Sequence, residues 1–160
     1  MMKAKSGFTL VEILIVVVIL GILAAIVIPQ FTEASTEAKL SSLCTDLQTL
    51  RSQIELYKVQ HNDNLPGVAN ATHTGTAGFV NSLTGKTDIF GNALLLTDPS
   101  GYGPYLQKIP VNQFVDSAGV GLGNTNGVTP AVDVSGNQGW FFDQDTGRFW
   151  ATSSTDHLLL

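Results

Sequence analysis

Among the residues of this chain that could do chemistry, one is out of place. Glu12 is the only ionisable side chain in "FTLVEILIVVVILGILAAIVI", the run from Phe8 to Ile28. As a helix rising ~1.5 Å per residue, roughly 21 residues span about 30 Å, the thickness of a bilayer's hydrocarbon core. A charge held there costs about 2.5 to 3.5 kcal/mol, so a carboxylate kept in such a run points to a partner or a task. The other reactive residues form no constellation. His61, His73 and His157 show neither an i, i+4 pair nor an HExxH context. No G-x-S-x-G elbow frames a serine nucleophile, and the chain reads as a non-enzyme. Cys44 is the single cysteine, which excludes an intrachain disulfide and thiolate zinc spacing. It reads as a small apolar contact on a helix, with an interchain or reactive role as the alternative.

The elements around Glu12 follow from hydropathy and spacing. Lys3 and Lys5 precede the apolar run, and the positive-inside rule keeps that end in the cytoplasm and sends the C-terminus across the membrane. A signal peptide cleaved near Ala24 and Ala25 is the alternative, weakened because the apolar run continues past them. Beyond Pro29 the pattern turns periodic. Leu40, Leu43, Leu47, Leu50, Ile54 and Tyr57 recur at spacings of three and four, one stripe of an amphipathic helix. That helix is predicted to reach about His61, where "NDNLPG" stops it. Pro29 removes one backbone donor and predicts a bend rather than an end. Val68 to Ser82 reads as loop with one short helix around Gly78 to Leu83, and the glycine-rich Ser117 to Thr129 as loop. Three strand-like runs follow, Ala131 to Val134, Gly139 to Asp143 and Arg148 to Thr152, with "QDTG" as the turn of a hairpin. A two-stranded ribbon is marginal alone and needs a third strand and a helix over its face. The predicted fold is α+β, a long bent N-terminal helix, its first half transmembrane, packed on a small C-terminal antiparallel sheet.

The totals limit what else the chain could be. Its 160 residues allow one modest domain beside one membrane segment. A net charge of -5 leaves no electrostatic footprint for nucleic acid. Trp140, Phe141, Phe142, Phe149 and Trp150 could stack bases, but only Arg148 lies among them, where such platforms need a basic groove. They read as sheet core or as a contact between subunits.

The stretch "KSGFTLVEILIVVVILGILAAIVIP", Lys5 to Pro29, resembles the N-terminal signature of the type IV pilin superfamily. It has a short basic leader ending in glycine, then phenylalanine, threonine, a glutamate five residues into the mature chain, and a proline at the helix bend. The resemblance implies that a prepilin peptidase cuts after Gly7 and methylates the new amine of Phe8. It divides the chain into a leader, 1–7, a transmembrane and filament-core helix, 8–29, and a periplasmic pilin-like domain, 30–160. In a stack of parallel copies the Phe8 amine of one could then meet the Glu12 of its neighbour, each offsetting the burial of the other and setting axial register. The alternative leaves Glu12 near the interface with its head in water. Two readings also fit Gly21. It is a small residue at a membrane helix contact, or, as the resemblance implies, one end of a segment reaching Pro29 that unwinds on assembly.

"LYKVQHNDNLPG" and "YGPYLQKIPVNQF" are similar to segments of the major pseudopilins of type II secretion systems, though the long glycine-rich insertion after the second departs from them. That likeness implies a homopolymer in the inner membrane and periplasm, served by the peptidase, an assembly platform protein, an ATPase and minor pseudopilins, with no nucleic acid. It also implies a calcium ion in the C-terminal loops, for which Asp133, Asp143 and Asp145 are the candidates, since a hard cation wants several oxygens; an ordinary hairpin turn with solvated acids is the alternative. Two other functions stay open: a type IV pilin for adhesion or motility, and a single-pass anchored or signal-peptide-released binding domain.

Overall fold

A computed structural model describes residues 7–68, 75–125 and 137–160. Contacts divide the chain into two compact units, Met1–Leu40 and Ser41–Leu160. The α-helix α1, Leu10–Gln60, contributes to both and continues through Gly21 and Pro29. It ends where the sequence predicts. Asn62 and Asp63 take positive φ of 54° and 63°, which Asn and Asp tolerate better than most residues, and the Asp63 amide donates to the Lys58 carbonyl at 3.0 Å, closing the last turn.

In the first unit every described residue from Gly7 to Ala38 is exposed. α1 is, among the described residues, the one helix long and apolar enough to cross a membrane. Its apolar surface there finds no cover among the described residues.

In the second unit the periodic stripe does what its spacing requires. Leu43, Leu47, Leu50, Ile54 and Tyr57 are buried, whereas Leu40 is 37% exposed and lies outside the core. They join Phe79 and Leu83 of a second helix, α2, Gly75–Thr84, and the sheet residues Val120, Trp140, Phe142, Phe149 and Ala151. Fully burying one such large apolar side chain stabilises the fold by roughly 1.5–3 kcal/mol. α2 is longer than the short helix expected. Gly67, at φ 76°, precedes it where an added Cβ would lie 2.8 Å from the Phe79 backbone, so the chain passes too close for any side chain.

The strands form two small sheets. β1, Lys86–Thr87, pairs antiparallel with β2, Ala93–Leu94. The larger sheet holds β3, Val120–Gly123, β4, Trp140–Asp143, and β5, Phe149–Ala151, in the order β3-β4-β5. β4 and β5 make the expected antiparallel hairpin. The α+β architecture holds, with one correction. β3 runs parallel to β4, so this sheet is mixed rather than antiparallel throughout. Residues 124–139 separate the two strands, enough chain for the crossover that parallel strands need. The strand predicted over residues 131–134 lies outside the described residues, and the third strand comes from a glycine-rich stretch read as loop. Glycine lets the strand lie close to its neighbour there. A Cβ on Gly121 would meet the Gln138 side chain and the Phe141 ring at 3.1 Å, and one on Gly123 would meet that ring at 3.0 Å. Phe141 lies over a strand that has no side chains of its own at these positions, the close approach that glycine within a strand often marks.

Candidate functional site

The first turn of α1 is built by Thr9 and Glu12. The Thr9 hydroxyl oxygen accepts the Glu12 amide at 3.2 Å, and Glu12 Oε2 accepts both the Thr9 amide and the Thr9 hydroxyl, each at 3.2 Å. This is a capping box, which satisfies amide donors that the first turn of a helix leaves without intrahelical partners. A carboxylate here also lies at the positive end of the helix dipole. The signal, threonine and glutamate three apart at the head of an apolar run, stands in the sequence, where Glu12 was expected to meet either a neighbour's amine or water and not Thr9. Gly7 and Phe8 precede the box, both exposed, Phe8 by 78%. Gly21 has no atom within 4 Å of where a Cβ would stand, so no contact among the described residues requires glycine there. Pro29 is equally exposed.

The three acids named for calcium have different surroundings. Asp143 is buried and its oxygens are engaged, accepting the hydroxyls of Thr125 and Thr146 at 2.7 Å each and the amide of Asp145 at 3.0 Å. Burial pushes this carboxyl up, but the Thr146 and Thr125 hydroxyls and the two amides outweigh it and hold it well below the usual carboxylate range. Asp143 thus ties the β4–β5 turn to the chain leaving β3. Asp145 is exposed and Asp133 lies outside the described residues. Among the described residues no group of three or more His, Cys, Asp or Glu side chains could hold a metal ion.

Two buried polar residues that the sequence did not mark hold the loops of the folded unit. His61 Nδ1 lies 2.8 Å from the Tyr57 carbonyl and Nε2 2.9 Å from the Thr87 hydroxyl. A carbonyl only accepts, so Nδ1 carries the proton and Thr87 donates to Nε2. The imidazole stacks on the Tyr57 ring at 3.8 Å. Burial lowers its pKa, against the raising effect of Tyr57 and Asp88. Asn112 donates to the Gly139 carbonyl at 2.9 Å and the Ser153 hydroxyl at 3.1 Å, and accepts from the Phe114 amide at 3.0 Å. The aromatic residues of the hairpin form core, with Trp140, Phe142, Phe149 and Trp150 buried. The Trp140 indole donates to the Pro110 carbonyl at 2.8 Å.

Residues 2–28 match the family described as the prokaryotic N-terminal methylation motif. The chain is 34% identical over 112 residues to the type II secretion system core protein G of Pseudomonas aeruginosa, covering 69% of this chain and 68% of that protein. It is 28% identical over 114 residues to the protein of the same name from Escherichia coli K12, covering 63% of this chain and 77% of the relative. A fimbrial protein of Pseudomonas aeruginosa is 43% identical over 54 residues, 34% of this chain and 35% of its own length. No solved structure matches significantly. A methylation motif heading one long apolar helix, with a small α+β unit behind it, defines the class of pilin-like proteins. Within that class, the chain belongs to the family of type II secretion system core protein G, the major pseudopilins.

Proposed function

We propose that the chain is a structural subunit, made as a prepilin, that polymerises into the pseudopilus of a type II secretion system. A prepilin peptidase hydrolyses the Gly7–Phe8 bond and the freed Phe8 amine is methylated. The helix then holds the subunit in the inner membrane with its folded unit in the periplasm, until a platform protein and an ATPase drive assembly with minor pseudopilins. The chain undergoes this chemistry and performs none. The observation that carries the reading is the first turn of α1, where a lone carboxylate stands at the head of an otherwise apolar run, Phe8 to Ile28, whose surface has no cover among the described residues. Lateral contact with other copies supplies that cover, and the Phe8 amine of a neighbour supplies the charge that Glu12 lacks.

The capping box makes the test sharper. Glu12→Ala removes the charge and the carboxylate's half of the box but keeps the Thr9 hydroxyl on the backbone amide of residue 12, whereas Thr9→Ala removes that hydroxyl cap and keeps the charge, a change worth ~1 kcal/mol to the helix. Both variants are expected to be processed and inserted. Electron micrographs of sheared or overproduced material should show filaments from Thr9→Ala and none from Glu12→Ala. Normal filaments from Glu12→Ala would remove the register role of that carboxylate. The likeness to a fimbrial protein over 54 residues favours a second reading, a type IV pilin for adhesion or motility. Long filaments on the surface of cells at native expression would select it.

A further inference from the structure

The chain just past α1 is tied to β1 by a bond between two side chains that no solvent reaches. His61 and Thr87 are both 0% exposed, and His61 Nε2 lies 2.9 Å from the Thr87 hydroxyl, across 26 residues of sequence. Thr87 in turn holds Tyr102. Its amide donates to the Tyr102 carbonyl at 3.1 Å, and its carbonyl accepts the Tyr102 amide at 2.8 Å. The segment 86–102 is thus fastened to the end of α1 through an imidazole, and it carries Leu95 and Leu96, 78% and 67% exposed.

The direction of that bond is set by the other ring nitrogen. Nδ1 carries the proton that the Tyr57 carbonyl accepts at 2.8 Å, so Nε2 is the acceptor and Thr87 the donor. A second proton can enter only at Nε2. It turns the acceptor into a donor that faces a donor, and it places a full charge at a site closed to solvent. Tyr57 stacks on the ring at 3.8 Å, and Tyr102 and Tyr105 stand steeply to it with centroids 5.4 and 6.2 Å away.

The charges nearby decide whether that proton comes within reach. Among the described residues the charged group felt by the ring is Asp88, next after β1. Burial pushes the Asp88 carboxyl up, but the Asn92 side chain and the amides of Asn92 and Phe90 outweigh it and hold it below the ordinary carboxylate value. It therefore stays charged where histidine titrates. Burial lowers the His61 pKa below 6.5, and the Tyr57 carbonyl and Asp88 offset only part of that. Lys58 and Lys86 are engaged elsewhere, with Glu55 at 3.3 Å and with the Asp98 carbonyl at 2.5 Å. The remaining titratable groups around the ring are the phenols of Tyr57, Tyr102 and Tyr105, and α2 carries none.

We propose that the bond between His61 and Thr87 is a latch opened by acid: a proton taken up at Nε2 breaks it and frees the segment 86–102 from the end of α1, while the core under α1 stays closed. The latch belongs to the folded unit and does not depend on the filament reading.

Hydrogen exchange in the detergent-extracted full-length chain tests this, at about pH 7.5 and about pH 5.5, roughly one unit either side of the free histidine value. At the lower pH the opening equilibrium can rise by at most about tenfold. Once corrected for intrinsic rates, the amides of Thr87 and Tyr102 should lose roughly three- to tenfold in protection, and those of Asp143 and Thr152, bonded within the β4–β5 hairpin, less than about twofold. Nitrogen shifts of the ring should place its proton on Nδ1 at the higher pH and give a titration midpoint that the Thr87 amide follows. His61→Gln should abolish the difference, and Thr87→Val should loosen both amides already at the higher pH. His157, whose ring meets Phe114 and Ser153 instead, is kept in both variants as an internal control. The proposal is overturned if Thr87 and Tyr102 stay protected at the lower pH, if the β4–β5 amides loosen equally, or if the change persists in His61→Gln. Should His61→Gln fail to fold, the midpoints decide, and a Thr87 amide that shifts at a pH other than that of the ring overturns the latch as well.

Discussion

The described stretch before Ser41 and the folded unit after it use apolar residues in opposite ways. From Phe8 to Ile28 they run without a break, and the helix they form is exposed all round. From Leu43 to Tyr57 five of them recur on one stripe and are buried, whereas Leu56, off the stripe, is exposed. A periodic stripe states which face is to be covered, and the same chain supplies the cover. An unbroken run states no face, so its cover comes from lipid or from other copies. One region encodes its fold, and the other encodes the surroundings it needs.

That contrast is open to breaking by mutation. Trp140→Ala should produce the largest effect, because Trp140 is fully buried and truncating such a ring costs about 3–5 kcal/mol. Val17→Ala, in the exposed run, should stay within about 0.5 kcal/mol in the same assay. Denaturant melts of detergent-extracted protein read both, and comparable losses would erase the distinction. Asn112→Ala should cost about 1–3 kcal/mol, since it strands the Phe114 amide and leaves the Gly139 carbonyl with the Thr152 amide alone. Asn112→Asp separates volume from bonding, because it keeps the acceptor for Phe114 and loses the donor to Gly139.

The smallest effect sharpens the comparison through pH. Burial holds the His61 pKa below its ordinary 6.5, and that of His157 likewise. As pH falls below about 6.5 the unfolded chain therefore takes up protons first. The stability these residues confer is fully present above about 6.5 and is lost as pH falls through the folded-state pKa, by at most about 1.4 kcal/mol per pH unit for each group. The carboxyl of Asp143, held low, titrates well beneath that window. Melting temperatures at pH 7.5 and 5.5 should differ for the parent and differ less for His61→Gln, conditions taken as roughly one unit either side of the free histidine value. An equal drop in both would remove His61 from the account.

Much of this was legible because it is local. The apolar run, the stripe from Leu43 to Tyr57, the stop at Asn62 and Asp63 and the β4–β5 hairpin all follow from spacing and turn chemistry. The box of Thr9 and Glu12 is local too, with threonine and glutamate three residues apart. β3 was hidden for another reason. Gly121 and Gly123 carry no strand signal, and their need appears only when Phe141 lies against them. Asn112 and Arg51 were likewise silent, since their partners stand 27 and 98 residues away and no local pattern announces such a bond. Leu40 fits the stripe in sequence and falls outside the core, because the folded unit begins at Ser41.

The central claim is that this chain is cut after Gly7 and begins its working life at Phe8. Intact mass and N-terminal sequencing of the membrane-extracted protein from its native host test it most directly. The account predicts a chain beginning at N-methylated Phe8. A chain beginning near Ile26, or one still carrying Met1 or Met2, would contradict it and take the filament reading with it.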